Sequence, residues 1–292
     1  MRHLYACQVR WADLDVLGHV NNVSFLDYVQ EARIDMLRTH APEQRDALVE
    51  GALIVRNDAT FVAPLMLQES VAIEVWVTEI KAASFTLAYE VFDVDAAGER
   101  VVYFRATSVT APFLFGEARP RRLTPAEVEV LTRFLEPGEP EIPSRSAQQD
   151  RALRSVAPAR THPWETRVRF TDVDAYQHVN NVKYFEYFQE ARISTFRRLF
   201  GDVVRDDFPS VVVAQMSVVY RRPILLRPAP YVVRSWVSRV GGSSYDIDSD
   251  IVDDGTVMAR ARATLVTFDT ATQRAARAPQ AYRDVLLAEL PE

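Results

Sequence analysis

Two short polar clusters carry residue types and spacings that suit carbonyl chemistry. The first is Asp13-Leu14-Asp15-Val16-Leu17-Gly18-His19-Val20-Asn21-Asn22, and the second is Asp172-Val173-Asp174-Ala175-Tyr176-Gln177-His178-Val179-Asn180-Asn181. Each ends where an apolar stripe of helical period begins, so Asn21 or Asn22, and Asn180 or Asn181, are candidate helix N-caps. Asp15 and Asp174 sit on the turns that lead into those helices. The first turn of a helix exposes backbone N–H groups and the positive end of the dipole, and an oxygen gaining negative charge is stabilised there. A carboxylate held over such donors suits addition to a carbonyl. The donors hold the oxyanion, and the carboxylate activates water or attacks directly. General-base help is typically ~10²–10⁴-fold, and losing one oxyanion donor costs ~10²–10³ in turnover.

Ordinary roles exist for each residue alone. An Asp before a helix commonly caps a turn, a His is commonly a hydrogen-bonded core residue, and Asn21, Asn22, Asn180 and Asn181 could be caps only. Two observations favour a site. The whole group occurs twice at one spacing, and the strand segments between the copies have diverged. Residues 9–34 and 168–193 are identical at 15 of 26 aligned positions, a repeat long enough to mark a whole domain. Other chemistries fit poorly. The pairs Asp15/His19 and Asp174/His178 are too sparse for a closed metal site, and neither a Gly-rich phosphate loop nor a serine nucleophile elbow is present. Glu31-Ala32-Arg33 and Glu190-Ala191-Arg192 flank the apolar stripes and read first as a helix-side ion network or sheet contact, and second as site residues. Cys7 is the only cysteine. It excludes an internal disulfide and reads as a buried structural thiol, with Thr166 in its place in the second copy.

The elements that must position these clusters follow from periodicity. Each copy reads strand, turn, helix, four strands, terminal helix. Residues 4–12 and 164–171 alternate as strands. Phe25, Val29, Ala32 and Met36, and likewise Tyr184, Phe188, Ala191 and Thr195, form one apolar stripe each. Further strands are expected at 52–62, 69–80, 84–94 and 100–113, and at 210–220, 230–240, 244–252 and 256–268. In the third of the later set, Tyr245, Ile247, Ser249 and Ile251 alternate with Asp246, Asp248 and Asp250, which reads as a half-buried strand with an acidic wet face. Ala96-Ala97-Gly98, Gly241-Gly242 and Asp253-Asp254-Gly255 mark hairpin turns. Thr124-Pro125-Ala126-Glu127 opens a helix with a capping box that ends near Leu135. The Pro-rich stretch 136–163, with Pro137, Pro140, Pro143, Pro158 and Pro163, reads as a linker between domains 1–135 and 164–292.

The chain has 292 residues, enough for about two domains. Its net charge of −6 argues against a broad nucleic-acid surface. No apolar leader and no run of 18 apolar residues is visible, so we expect a soluble cytoplasmic protein with no membrane partner. One helix beside an antiparallel sheet makes each copy an α+β unit. Two such units in tandem are expected to pair as a pseudo-dimer, with further dimerisation left open.

At Asp-x-x-Gly-His-Val-Asn-Asn followed by an aromatic helix, the chain resembles the hotdog-fold acyl thioesterases of the 4-hydroxybenzoyl-CoA thioesterase type. The second copy also resembles the plant acyl-ACP thioesterases. The resemblance covers nearly the full chain and implies two hotdog domains, each an antiparallel sheet wrapped round one long helix. It implies that Asp15 and Asp174 are the catalytic carboxylates and that the backbone N–H groups of Asn22 and Asn181 polarise the thioester carbonyl. It matches His19 and His178 to the histidine of the plant-type motif, and implies pockets lined by residues of both halves. The chain departs from the pattern at several places. Val16 and Ala175 replace the bacterial-type proline, Asn21-Asn22 and Asn180-Asn181 replace an aromatic pair, Leu17 and Tyr176 replace the plant-type Asn, and Gly18 becomes Gln177. Arg221, Arg222 and Arg227 cluster at a strand-to-strand turn of the second copy. They read either as contacts for CoA phosphates or as a solvated surface cluster.

The expected function is therefore hydrolysis of an acyl-CoA to free acid and CoA, in fatty acid metabolism, with no cofactor beyond the CoA of the substrate. Alternatives are an acyl-ACP thioesterase, a hotdog hydratase or dehydratase, and a non-catalytic acyl-CoA-binding protein.

Overall fold

A computed structural model describes residues 1–44, 46–117, 119–138, 153, 156–174, 177–201, 209–269, 272 and 274–290. The chain divides into two compact units, Met1–Pro143 and Ser144–Glu292. Among the expected linker residues, Pro140 and Pro143 lie outside the described residues, as do Ala175 and Tyr176 of the second cluster.

Unit 1 contains β1 (His3–Gln8), α1 (Ser24–His40), β2 (Ala52–Phe61), β3 (Ser70–Lys81), β4 (Ser84–Val94), β5 (Arg100–Leu114), the short β6 (Arg119–Pro120) and α2 (Pro125–Arg133). Its antiparallel sheet runs β1-β3-β4-β5-β2, with β6 on β5. Unit 2 repeats the plan with β7 (His162–Thr166), α3 (Asn181–Phe200), β8 (Ser210–Tyr220), β9 (Tyr231–Val240), β10 (Ser244–Asp253), β11 (Thr256–Asp269), β12 (Arg274–Ala275) and α4 (Gln280–Leu287). Its sheet runs β7-β9-β10-β11-β8, with β12 on β11. Each unit is a hotdog: one long helix against a curled antiparallel sheet.

Both helical stripes are buried as their spacing requires. Phe25, Val29, Ala32 and Met36 line one helix, and Tyr184, Phe188, Ala191 and Thr195 the other. The sheets supply the other wall, through Val75, Phe85, Leu87, Tyr89 and Val91 in unit 1 and Val233, Val237, Tyr245, Ile247 and Ile251 in unit 2. The Thr124/Glu127 capping box forms as expected, and Arg121 pairs with Glu127. Cys7 is buried, and burial pushes its thiol up to about 11.

Three expectations need correction. The first strand of each unit is shorter, because Trp11–Asp13 and Phe170–Asp172 wind into single 3₁₀ turns. Strand β7 begins at His162, inside the stretch read as linker. The acidic face of β10 is not wet. Asp246, Asp248 and Asp250 are almost fully buried, held respectively by Arg239, by Arg262, and by Arg260 with Arg234. The alternation is real, but its polar side is an ion-pair ladder built from arginines of β9 and β11. A buried carboxylate is tolerated only with such partners.

Candidate functional site

The site is built outward from the two 3₁₀ turns. In unit 1 an Asp13 Oδ2 oxygen accepts from Arg10 N–H (2.8 Å) and from the Tyr28 hydroxyl (2.6 Å). Its carbonyl accepts from Asn21 N–H at 2.7 Å. In unit 2 Asp172 repeats all three contacts with Arg169 (2.8 Å), Tyr187 (2.7 Å) and Asn180 (2.8 Å). Burial, and then the hydrogen bond to the aspartate, push both tyrosines well above their ordinary range. The first Asp of each pair is thus a clamp between turn and helix.

The second Asp begins a tight turn. Asp15 N–H donates to His19 O (2.7 Å), and Asp15 Oδ1 accepts from Leu17 N–H (2.8 Å) and His19 N–H (3.2 Å). Asp174 N–H donates to His178 O (2.8 Å), and Asp174 Oδ1 accepts from His178 N–H (3.2 Å). Bridges Leu14↔Val20 and Val173↔Val179 close the turns. Both turns dock on the loop after the second strand of their unit, Val20 N–H to Leu65 O (2.8 Å) and Val179 N–H to Ile224 O (2.9 Å). Asp15 and Asp174 are half-buried. A left-handed residue is needed inside each turn: Gly18 has φ 78° and Gln177 has φ 64°. Glycine takes this conformation freely, whereas glutamine is strained in it.

The histidines enter these turns through their backbones, and both are half-buried. The asparagines divide. Asn180 is the N-cap of α3, its Oδ1 accepting from Val182 N–H at 2.9 Å. Asn21 makes the same bond to Val23 N–H (2.9 Å), although α1 begins only at Ser24. Asn21 and Asn180 are therefore caps, each side-chain oxygen being engaged by its own helix start rather than turned to a substrate. Asn22 differs. Among the described residues its backbone N–H finds no acceptor, and its buried side-chain amide nitrogen has no partner. Asn181, its counterpart, is the first residue of α3, and its carbonyl accepts from the Tyr220 hydroxyl at 3.0 Å.

Among the arginines, Arg227 is corrected. It forms a two-pronged pair with Asp253 (2.7 and 2.8 Å), donates to the carbonyls of Ala229 and Pro230, and stacks over Tyr231. That guanidinium holds a loop and is not free for a phosphate. Arg221 and Arg222 are exposed, with both backbone N–H groups on Met258 O. Arg221 also donates to Leu153 O. Sequence reasoning did not single out the Tyr28/Asp13 and Tyr187/Asp172 clamps. Their signal was the shared spacing of Asp and Tyr in both copies.

No helix among the described residues is long and apolar enough to cross a membrane. The long-chain acyl-CoA thioesterase FadM of Escherichia coli (strain K12) is 32% identical over 115 residues, which cover 38% of this chain and 86% of FadM. Two solved structures share the fold over nearly the whole chain. One is a putative oleoyl thioesterase from Lactobacillus plantarum (TM-score 0.73, 15% identity, 92% of this chain and 97% of that one). The other is the 12:0-ACP thioesterase from Umbellularia californica (TM-score 0.73, 14% identity, 91% and 94%). The profile of the Thioesterase-like superfamily matches residues 9–134 and again 168–289, and the chain belongs to that superfamily in both of its units.

Proposed function

We propose that the protein hydrolyses acyl-CoA thioesters to a free acid and CoA, using Asp15 and Asp174 as carboxylates and Asn22 and Asn181 as oxyanion donors. The observation that carries this reading is the state of Asn22. It leads into α1 with a backbone N–H and a buried amide that lack acceptors among the described residues, one short turn beyond a carboxylate anchored by a single oxygen. A thioester oxygen is an acceptor of the right kind for those donors.

In the reaction, one carboxylate oxygen of Asp15 holds its own turn and the other takes a proton from water. The hydroxide adds to the thioester carbon, and the oxyanion gathers on the Asn22 donors. Collapse breaks the C–S bond, and the proton passes to the departing CoA sulfur. Asp174 and Asn181 take the same roles in unit 2. The family likeness to FadM favours CoA as the carrier. The acyl-ACP reading rests on the fold shared with the 12:0-ACP enzyme, and parallel assays on acyl-ACP and acyl-CoA separate the two.

The test is thiol release from a panel of acyl-CoAs by the wild type, Asp15→Asn, Asp174→Asn and the double variant. The amide keeps the Oδ1 acceptor that holds the turn, so the fold should survive. We expect the double variant to lose about 10²–10⁴-fold in turnover. Undiminished hydrolysis would refute the assignment.

A further inference from the structure

The interior of unit 2 contains a charged group with no hydrogen-bond or ion-pair partner among the described residues. Arg192 lies in the middle of α3 and is only 6% exposed. Among the described residues its guanidinium makes no hydrogen bond or ion pair. Burial pushes its pKa down to about 10, with Tyr245 and Glu190 opposing only in part. It is therefore still a cation at neutral pH. An unpaired buried cation is costly, and such groups are normally paired.

Unit 1 shows a different neighbour for the equivalent arginine. The counterpart Arg33 lies against the Tyr89 hydroxyl. Tyr89 is fully buried on β4 and faces Val75 across β3. In unit 2 the same cross-strand position holds Ser249 opposite Ser235. The neighbouring tryptophans set this correspondence, with Trp76 opposite Ala88 and Trp236 opposite Asp248. The two serine hydroxyls bond each other at 2.8 Å in a buried setting. One turn along the helix from Arg192, Thr195 replaces Met36, and its hydroxyl donates to Ala191 O at 2.9 Å. Tyr89, Val75 and Met36 of unit 1 thus correspond to the smaller hydroxyl residues Ser249, Ser235 and Thr195 in the unit that buries Arg192. The surroundings stay apolar, with Phe188, Val237 and Ile247 buried.

We propose that the interior of unit 2 binds the carboxylate of an aliphatic acid, with Arg192 as its receptor in the space that Tyr89 fills in unit 1. The guanidinium fork matches a carboxylate, and the apolar walls match an alkyl chain. Two sources share this chemistry: a free fatty acid, and an acyl thioester bearing a second carboxylate at its far end. The second source rests on the thioesterase reading, and the first does not.

The experiment is calorimetric titration of the full chain with decanoate and with decanol. We expect decanoate to bind about tenfold or more tightly than the neutral alcohol. Arg192→Met should abolish that preference. Ser249→Tyr, which restores the side chain of unit 1, should block binding, and Arg33→Met should leave it unchanged. If Ser249→Tyr does not fold, Arg192→Met decides alone, since removing a lone buried charge does not endanger the core. Equal decanoate affinity in the wild type and Arg192→Met, or no decanoate binding by the wild type, overturns the proposal. Titrating sebacoyl-CoA and decanoyl-CoA into the Asp15→Asn/Asp174→Asn variant then identifies the source. A sebacoyl preference that needs Arg192 indicates the thioester, and equal affinities indicate the free acid. No turnover enters these titrations, so they stand even where the hydrolysis assay fails.

Discussion

The two units differ far more in their interiors than at their turns. Arg10–Asp13–Tyr28 and Arg169–Asp172–Tyr187 match contact for contact, within about a tenth of an ångström in each hydrogen bond. Behind them, Phe104 in unit 1 stacks on Phe25 at 5.0 Å and meets Phe61. Unit 2 has Tyr184 against Tyr220 instead, and the Tyr184 hydroxyl accepts from Ile224 N–H. On the opposite sheet faces, unit 2 buries a ladder of aspartates and arginines, whereas Glu90, Arg100 and Arg105 in unit 1 stay partly exposed. One backbone plan therefore tolerates an apolar or a polar filling. The short cluster ahead of each helix is the part that was kept.

The largest effect that would sharpen this contrast is in the ladders. Asp250→Ala leaves Arg260, itself 3% exposed, buried without its carboxylate, and should cost about 3–5 kcal/mol. Glu90→Ala in unit 1 should cost about 1 kcal/mol or less, because its arginine partners reach solvent. Urea unfolding of both variants checks this, and equal costs would erase the distinction between the faces.

A smaller effect of opposite sign is expected at the helix arginines. Arg192→Met removes a desolvated charge and should raise stability by about 1–3 kcal/mol, whereas Arg33→Met loses the contact with Tyr89 and should lower it. Thermal melts at neutral pH read both, and a destabilised Arg192→Met would mean that the cation already has a compensating partner.

The smallest effect is at the turns. Gln177→Gly should relieve the left-handed strain and add up to about 1 kcal/mol, and Gly18→Gln should remove a similar amount. The same melts decide, and no change in either would show that the turns absorb the strain.

Much of this was legible in the sequence because it is local. The stripes at Phe25–Met36 and Tyr184–Thr195, the capping box at Thr124 and the hairpin at Asp254-Gly255, where both residues take positive φ, are set by neighbours a few positions apart. The carboxylate turn at Asp15 is local too, and so is the Asn21 cap that precedes Asn22. What escaped depends on other strands. The aspartates of β10 looked solvated because their arginines come from β9 and β11. Arg227 looked free because Asp253 reaches it from a separate hairpin. Arg192 looked like an ion-network or sheet-contact residue because its burial depends on strands distant in sequence, Tyr245 of β10 among them. The asparagines looked interchangeable, and only the three-dimensional turn separates the capping residue from the one after it.

The exchange of Tyr89 for Ser249 has a consequence for how such a protein diversifies. In a homodimer encoded by one short gene, every substitution appears in both copies, so a cavity opened in one subunit is opened in its twin. After duplication and fusion, each half mutates alone. One lineage of residues can conserve a tightly filled interior that secures the fold, while the other trades bulk for a receptor tuned to new cargo.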